Sequence, residues 1–107
     1  MKRLRISDTV GGWFVGNFTP VIMQTDAFEV CVKSYAPGDR EPRHFQLSAI
    51  EITVIISGQA RMGNEFLEAG DVILLEPLEE FDFEAITDVT LIAVKSPSLP
   101  NDKRLSV

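Results

Sequence analysis

A single histidine, His44, is present in the 107 residues, and its surroundings decide what chemistry the chain could perform. Imidazole is the side chain best matched to proton transfer near neutral pH. Gln46 stands two positions on, Glu51 five positions after that, and Asp82 comes late in the chain. Residues two apart on a strand project from one face, so His44 and Gln46 point the same way while Phe45 points the other. Glu51 reaches them from the next strand and Asp82 from a later one. Four polar side chains from three strands are therefore expected to converge. A histidine oriented by a carboxylate can abstract a proton next to a carbonyl. Without a reaction, the same four groups form a hydrogen-bonded lining for a polar ligand.

The elements that position these residues read as strands almost throughout. Residues 28–35 alternate with period two, placing Phe28, Val30 and Val32 on one face and Glu29, Cys31 and Lys33 on the other. Pro37-Gly38-Asp39 ends that strand as a turn, and residues 51–58 follow as a β-branched strand, with Glu51, Thr53 and Ile55 on one face. Residues 59–67 read as a hairpin closed by Gly63-Asn64, because glycine in the first central position suits a type II′ turn. Gly70-Asp71 makes the next corner. Residues 72–75, 81–86 and 89–95 supply three further strands before a Pro/Ser-containing tail. Trp13-Phe14-Val15 and Val21-Ile22-Met23 suggest one or two added strands outside the core barrel, where a long flat edge would otherwise invite pairing with a second subunit.

The totals bound the rest. A chain of 107 residues, 45% hydrophobic, fits one domain: a core at about 28–95, an N-terminal extension 1–27 and a C-terminal tail 96–107. Apolar runs as short as Val72–Leu75 and the charged Met1-Lys2-Arg3-Leu4-Arg5 start predict no membrane span and no export signal, hence a cytoplasmic protein. Sixteen acidic against ten basic side chains give a formal charge of −6, which repels nucleic acid and anionic lipid. The lone Cys31 has no partner for a disulfide or a zinc ribbon and reads as a packed small hydrophobe. The acidic group Glu76, Glu79, Glu80, Asp82 and Glu84 reads mostly as a solvated strand end, and Trp13 as a cap on the core or on a subunit contact.

Gly38, His44, Gln46, Glu51 and Gly58 match the spacing Gly-x5-His-x-His-x4-Glu-x6-Gly over twenty-one residues, with Gln46 in place of the second histidine. In this the chain resembles the cupin superfamily. A second cupin motif, Gly-x5-Pro-x-Gly-x2-His, is met loosely: Gly70 opens it, Pro77 stands one residue late, Glu79 replaces the glycine, and Asp82 or its neighbour Phe81 falls at the histidine. Residues 12–18, 81–85 and 94–98 look like a group of small single-domain cupins often found beside polysaccharide and nucleotide-sugar genes. The resemblance implies an all-β double-stranded β-helix, a jelly-roll type barrel with extra N-terminal strands. It implies a homodimer with a small-molecule ligand in the lumen, held by His44, Gln46, Glu51 and Asp82. It also implies either a weakly held divalent metal (Mn, Fe, Ni or Zn) on those same four residues or a metal-free polar cluster. Three functions follow. The first is binding of a small polar or sugar-like ligand. The second is an enzyme, either metal-dependent (oxygenase or isomerase type) or metal-free and epimerase-like with His44 as base. The third is a protein-interaction subunit. In cupin-fold epimerases a tyrosine acts as acid opposite the base. Tyr35, the only tyrosine here, shares the face of Glu29 and Lys33 and is expected to lie away from the lumen.

Overall fold

Period-two alternation with few helix-forming stretches produces eleven strands in the computed structural model, which describes residues 1–107. One short 3-10 turn, Ile6–Asp8, precedes them. They are β1 (Trp13–Gly16), β2 (Met23–Gln24), β3 (Glu29–Tyr35), β4 (Arg40–Gln46), β5 (Ile50–Ser57), β6 (Gln59–Met62), β7 (Glu65–Glu68), β8 (Val72–Leu75), β9 (Phe81–Ala85), β10 (Val89–Ser96) and β11 (Lys103–Leu105). A six-stranded sheet in the order β2-β1-β3-β10-β5-β8 faces a five-stranded sheet in the order β11-β4-β9-β6-β7. Every pairing is antiparallel except that of β1 with β2. The all-β double-stranded β-helix expected from the sequence is the observed architecture. No helix is long and apolar enough to cross a membrane.

Turn chemistry fixes the corners. In the hairpin of β6 and β7, Met62 pairs with Glu65 across Gly63-Asn64, and only Gly63 has a positive φ, as a type II′ turn requires. Gly58 has φ +90, and a Cβ there would lie 1.9 Å from the Asp88 carbonyl oxygen, so no other residue fits where β5 passes into β6.

Register sorts the interior into an apolar end and a polar end. Along β10, Leu91 pairs with Ile55, Ala93 with Thr53 and Lys95 with Glu51. On its other side, Ala93 pairs with Cys31 and Lys95 with Glu29. Inward side chains therefore run from Val89, Leu91, Ile55 and Ala85, which plug one end, to Glu51, Lys95 and Glu29, which line the other. The buried core joins the plug to Phe81, Phe83, Met62, Ala60 and Leu67 of the five-stranded sheet and to Cys31, Leu75 and Ala93 of the other.

The N-terminal stretch supplies two added strands, as expected, and the C-terminal tail supplies one more. The N-terminal stretch contributes β1 and β2 to the larger sheet, and Leu4, Ile6, Phe14 and Ile22 share a surface groove with Val32. The apolar face of β3 is thus covered from outside, and its polar face turns inward. The C-terminal tail is also part of the barrel: β11 pairs with β4, and Asp102 accepts hydrogen bonds from the backbone amides of Ser48 and Ala49 at 3.0 Å each. It straps the polar end.

Candidate functional site

At the polar end, a bulge in β4 gathers the reactive groups. Glu41 pairs with Phe83 and His44 with Phe81, so Pro42 and Arg43 together oppose the single residue Asp82. The extra residue flips side-chain parity. Glu41 and His44, three apart, consequently both face the lumen, and the Pro42 carbonyl accepts the His44 Nδ1–H at 2.7 Å. That bond leaves Nε2 as the unprotonated nitrogen. His44 is 3% exposed and packs on the Phe81 ring at 4.2 Å.

The four residues expected to converge do so only in part. His44, Gln46 and Glu51 are all buried, with Thr53 Oγ1 donating to Glu51 at 3.2 Å. Asp82 is not with them. It lies on the outer face of β9, where both its oxygens take the Arg61 guanidinium at 3.0 and 3.1 Å, and Arg61 reaches Glu84 as well. The reason is strand parity: Phe81 and Phe83 are the inward residues of β9, so Phe81 holds the second-motif position. Asp82, expected among the ligand residues, therefore lies outside the lumen.

Several groups in the lumen escaped the sequence reading. Tyr35 and Lys33 line it, contrary to the expectation for Tyr35, because β3 presents its polar face inward. The Tyr35 hydroxyl donates to Glu41 at 3.0 Å, and Lys33 lies 3.5 Å from the same carboxylate. Lys95 approaches Glu51 at 3.8 Å, and both lysines lie near the face of Trp13, at 5.7 and 5.1 Å from its ring centre. Cys31 sits at the base, fully buried, where the loss of hydration pushes its thiol up to about 11. Proline inside a strand was the one available signal for the bulge, and hence for Glu41.

Electrostatics set the protonation states. Burial lowers His44 below the ordinary histidine value, and the charges of Lys103 and Lys95 push the same way against the Pro42 carbonyl and Glu41. His44 is therefore a neutral base. Burial raises Glu51 above the usual carboxylate range despite Lys95 and Thr53. For Glu41, burial would raise the carboxyl, but Lys33, the Tyr35 hydroxyl and further nearby charges, Lys103 first among them, together outweigh it and the net shift is downward. Burial and the neighbouring Glu41 charge push Tyr35 upward, so its hydroxyl keeps its proton.

Two connected spaces make up the site. The lumen proper holds about 40 Å³. Trp13, Lys95 and Lys103 line both it and a mouth cavity of about 330 Å³, whose walls include Gln46, Glu29 and Leu99. The lumen has room for roughly three waters, whereas the mouth falls within the ~300–1,000 Å³ typical of small-molecule pockets.

No family model matches this sequence, and no curated protein matches it. Solved structures do match. An uncharacterized conserved protein with a double-stranded beta-helix domain from Klebsiella pneumoniae subsp. pneumoniae MGH 78578 has a TM-score of 0.74 at 20% identity, over 98% of this chain and 91% of that one. A cupin protein from Bacteroides fragilis has a TM-score of 0.62 at 21% identity, over 72% of this chain and 73% of that one. The chain has the cupin fold. An oxalate decarboxylase from Bacillus subtilis, a protein with Mn(II) centres, reaches a TM-score of 0.64 at 18% identity, over 75% of this chain and 24% of that one.

The donor atoms decide whether this chain suits such an ion. No three His, Cys, Asp or Glu side chains come together in a way that could hold one. Phe81 offers no lone pair, Asp82 is outside, and the Glu51 charge is shared with the Lys95 ammonium. One imidazole and two carboxylates, Glu41 paired with Lys33 and Glu51 with Lys95, do not fit a resident divalent metal.

Proposed function

We propose that this cupin-fold chain binds a small polar, sugar-like molecule at the open end of its barrel, with the body of the ligand in the mouth and one substituent in the lumen. The observation that carries this reading is the lining of the lumen. Lys33, Tyr35, Glu41, His44, Glu51 and Lys95 surround a space that in a purely structural barrel would be filled by apolar side chains. Trp13, which lines both spaces, sets an aromatic ring beside the ligand.

Thermal unfolding with a panel of monosaccharides, sugar acids and sugar phosphates tests it. A ligand at ten times its Kd stabilises by about 1.4 kcal/mol, which for a chain of this size raises Tm by several degrees. At least one member is expected to do so, and Trp13→Ala to abolish the shift. Absence of any saturable shift across the panel would overturn the reading.

A metal-free proton transfer is the second reading, favoured by one observation: the bond from His44 to Pro42 leaves Nε2 as a free base in the same lumen as the protonated Tyr35 hydroxyl. It predicts exchange of a carbon-bound proton of the ligand with deuterated solvent, lost in His44→Gln.

A further inference from the structure

Of the four lysines in this acidic chain, Lys33, Lys95 and Lys103 line the lumen, and only Lys2 lies elsewhere. Most charges here are already satisfied. Lys33 pairs with Glu41, and Lys95 lies 3.8 Å from Glu51. The Asp102 carboxylate is taken up by the amides of Ser48 and Ala49, and Glu29 accepts the Ser98 hydroxyl at 3.1 Å.

What remains after these pairings is donor capacity. Lys103 has no carboxylate within 4.0 Å of its ammonium group. It is the cross-strand partner of Gln46, so the two side chains leave β11 and β4 on the same face. Gln46 is 3% exposed, yet its Nε2 is buried with no hydrogen-bond partner. An amide N–H left without an acceptor at such depth is costly, and native proteins rarely tolerate one unless something else supplies the acceptor. Both groups, with Lys95, line the mouth cavity.

We propose that the mouth is an oxyanion subsite, in which Lys103, Lys95 and the Gln46 side-chain amide hold a carboxylate or phosphate group carried by the ligand. The inference rests on the reading of the mouth as a small-molecule site and names the chemical class that the site selects. An ammonium ion and an amide N–H are both donors, and an anionic oxygen has lone pairs for both at once. The substitution of Gln46 for histidine therefore replaces a group that can switch between donor and acceptor with one whose NH2 always donates.

Calorimetric titration at low ionic strength with D-glucose, D-glucuronate and D-glucose 6-phosphate tests this. At least one charged sugar is expected to bind at least tenfold tighter than glucose, and to weaken several-fold when salt is raised. Lys103→Gln, on the exposed strand β11, should remove most of that advantage while leaving Tm unchanged; Gln46→Leu should weaken the anion independently. Preference for glucuronate identifies a carboxylate, and preference for the 6-phosphate a phosphate. If glucose binds as tightly as both anions and Lys103→Gln changes nothing, the oxyanion subsite is wrong and the ligand site stands. If none of the three binds, both are overturned.

Discussion

At the scale of single residues, His44 and Glu51 oppose one another in their pH dependence. His44 is held below its ordinary value, so the stability it contributes is present above pH 6.5 and is lost as pH falls through the window just beneath. Glu51 is held above 4.5, so its contribution is present below that pH and is lost as pH rises through its elevated value. His44→Gln should leave stability falling as pH rises from about 4.5, and Glu51→Gln should leave it falling as pH drops from about 6.5. Urea midpoints across pH 4 to 8 check both slopes. Metal affinity is a second residue-scale matter. Gln46→His combined with Phe81→His surrounds the lumen with three imidazoles and is expected to create saturable Ni²⁺ or Zn²⁺ binding by calorimetry. The unaltered chain should show at least tenfold weaker binding, and equal affinity in both would contradict the donor analysis. His44, Gln46 and Glu51 were legible in the sequence because period-two parity holds locally from residue 44 to 46 and from 51 to 55. Glu41 was not, because one inserted residue at Pro42 reverses parity on a strand whose proline alone hints at it.

At the scale of elements, the turn after β8 carries visible strain. Pro77 leads into Leu78, whose φ is +71 and whose side chain is 63% exposed, while its amide is fixed to the Gln46 carbonyl at 2.8 Å. A branched L-residue in the left-handed region costs about 1–2 kcal/mol. Leu78→Gly relieves that cost and loses little packing, so a net gain on the order of 0.5–1 kcal/mol is expected in the urea midpoint, after the greater freedom of glycine in the unfolded chain is offset. A loss of stability would show the turn to be held by Leu78 itself. Strand order in the hairpin and the inward face of β5 followed from turn residues and β-branching. The inward face of β3 did not, since its apolar parity is half-buried on the outside of the barrel, beside the N-terminal segment. Tyr35 and Lys33 entered the lumen as a consequence. Lys103 was hidden for a similar reason: three residues of an apparent tail complete the sheet through pairing that no local pattern encodes.

At the scale of the whole molecule, the two edges of the larger sheet differ. The N-terminal edge ends in β2, only two residues long and a poor template for pairing. The opposite edge, β8, has neither lysine nor proline and exposes Val72 at 63% and Leu74 at 53%, with Ile56 beside it at 49%. Two copies joined antiparallel along β8 would satisfy both edges and bury both faces through one two-fold contact. The chain is therefore expected to sediment as a dimer at micromolar concentration and Leu74→Glu as a folded monomer; a monomeric unaltered chain would contradict this.

The barrel as a whole presents an apolar plug at one end and a strapped, donor-rich opening at the other, with Trp13, the only tryptophan, between the lumen and the mouth. Its fluorescence is a built-in reporter of occupancy. Titrating D-glucuronate and D-glucose 6-phosphate while recording Trp13 emission is the most direct measurement. A saturable change in intensity or wavelength with one of them, abolished by Lys103→Gln together with Gln46→Leu, is the predicted result. Emission that stays unchanged, or changes equally in the double variant, would contradict a ligand site at this opening.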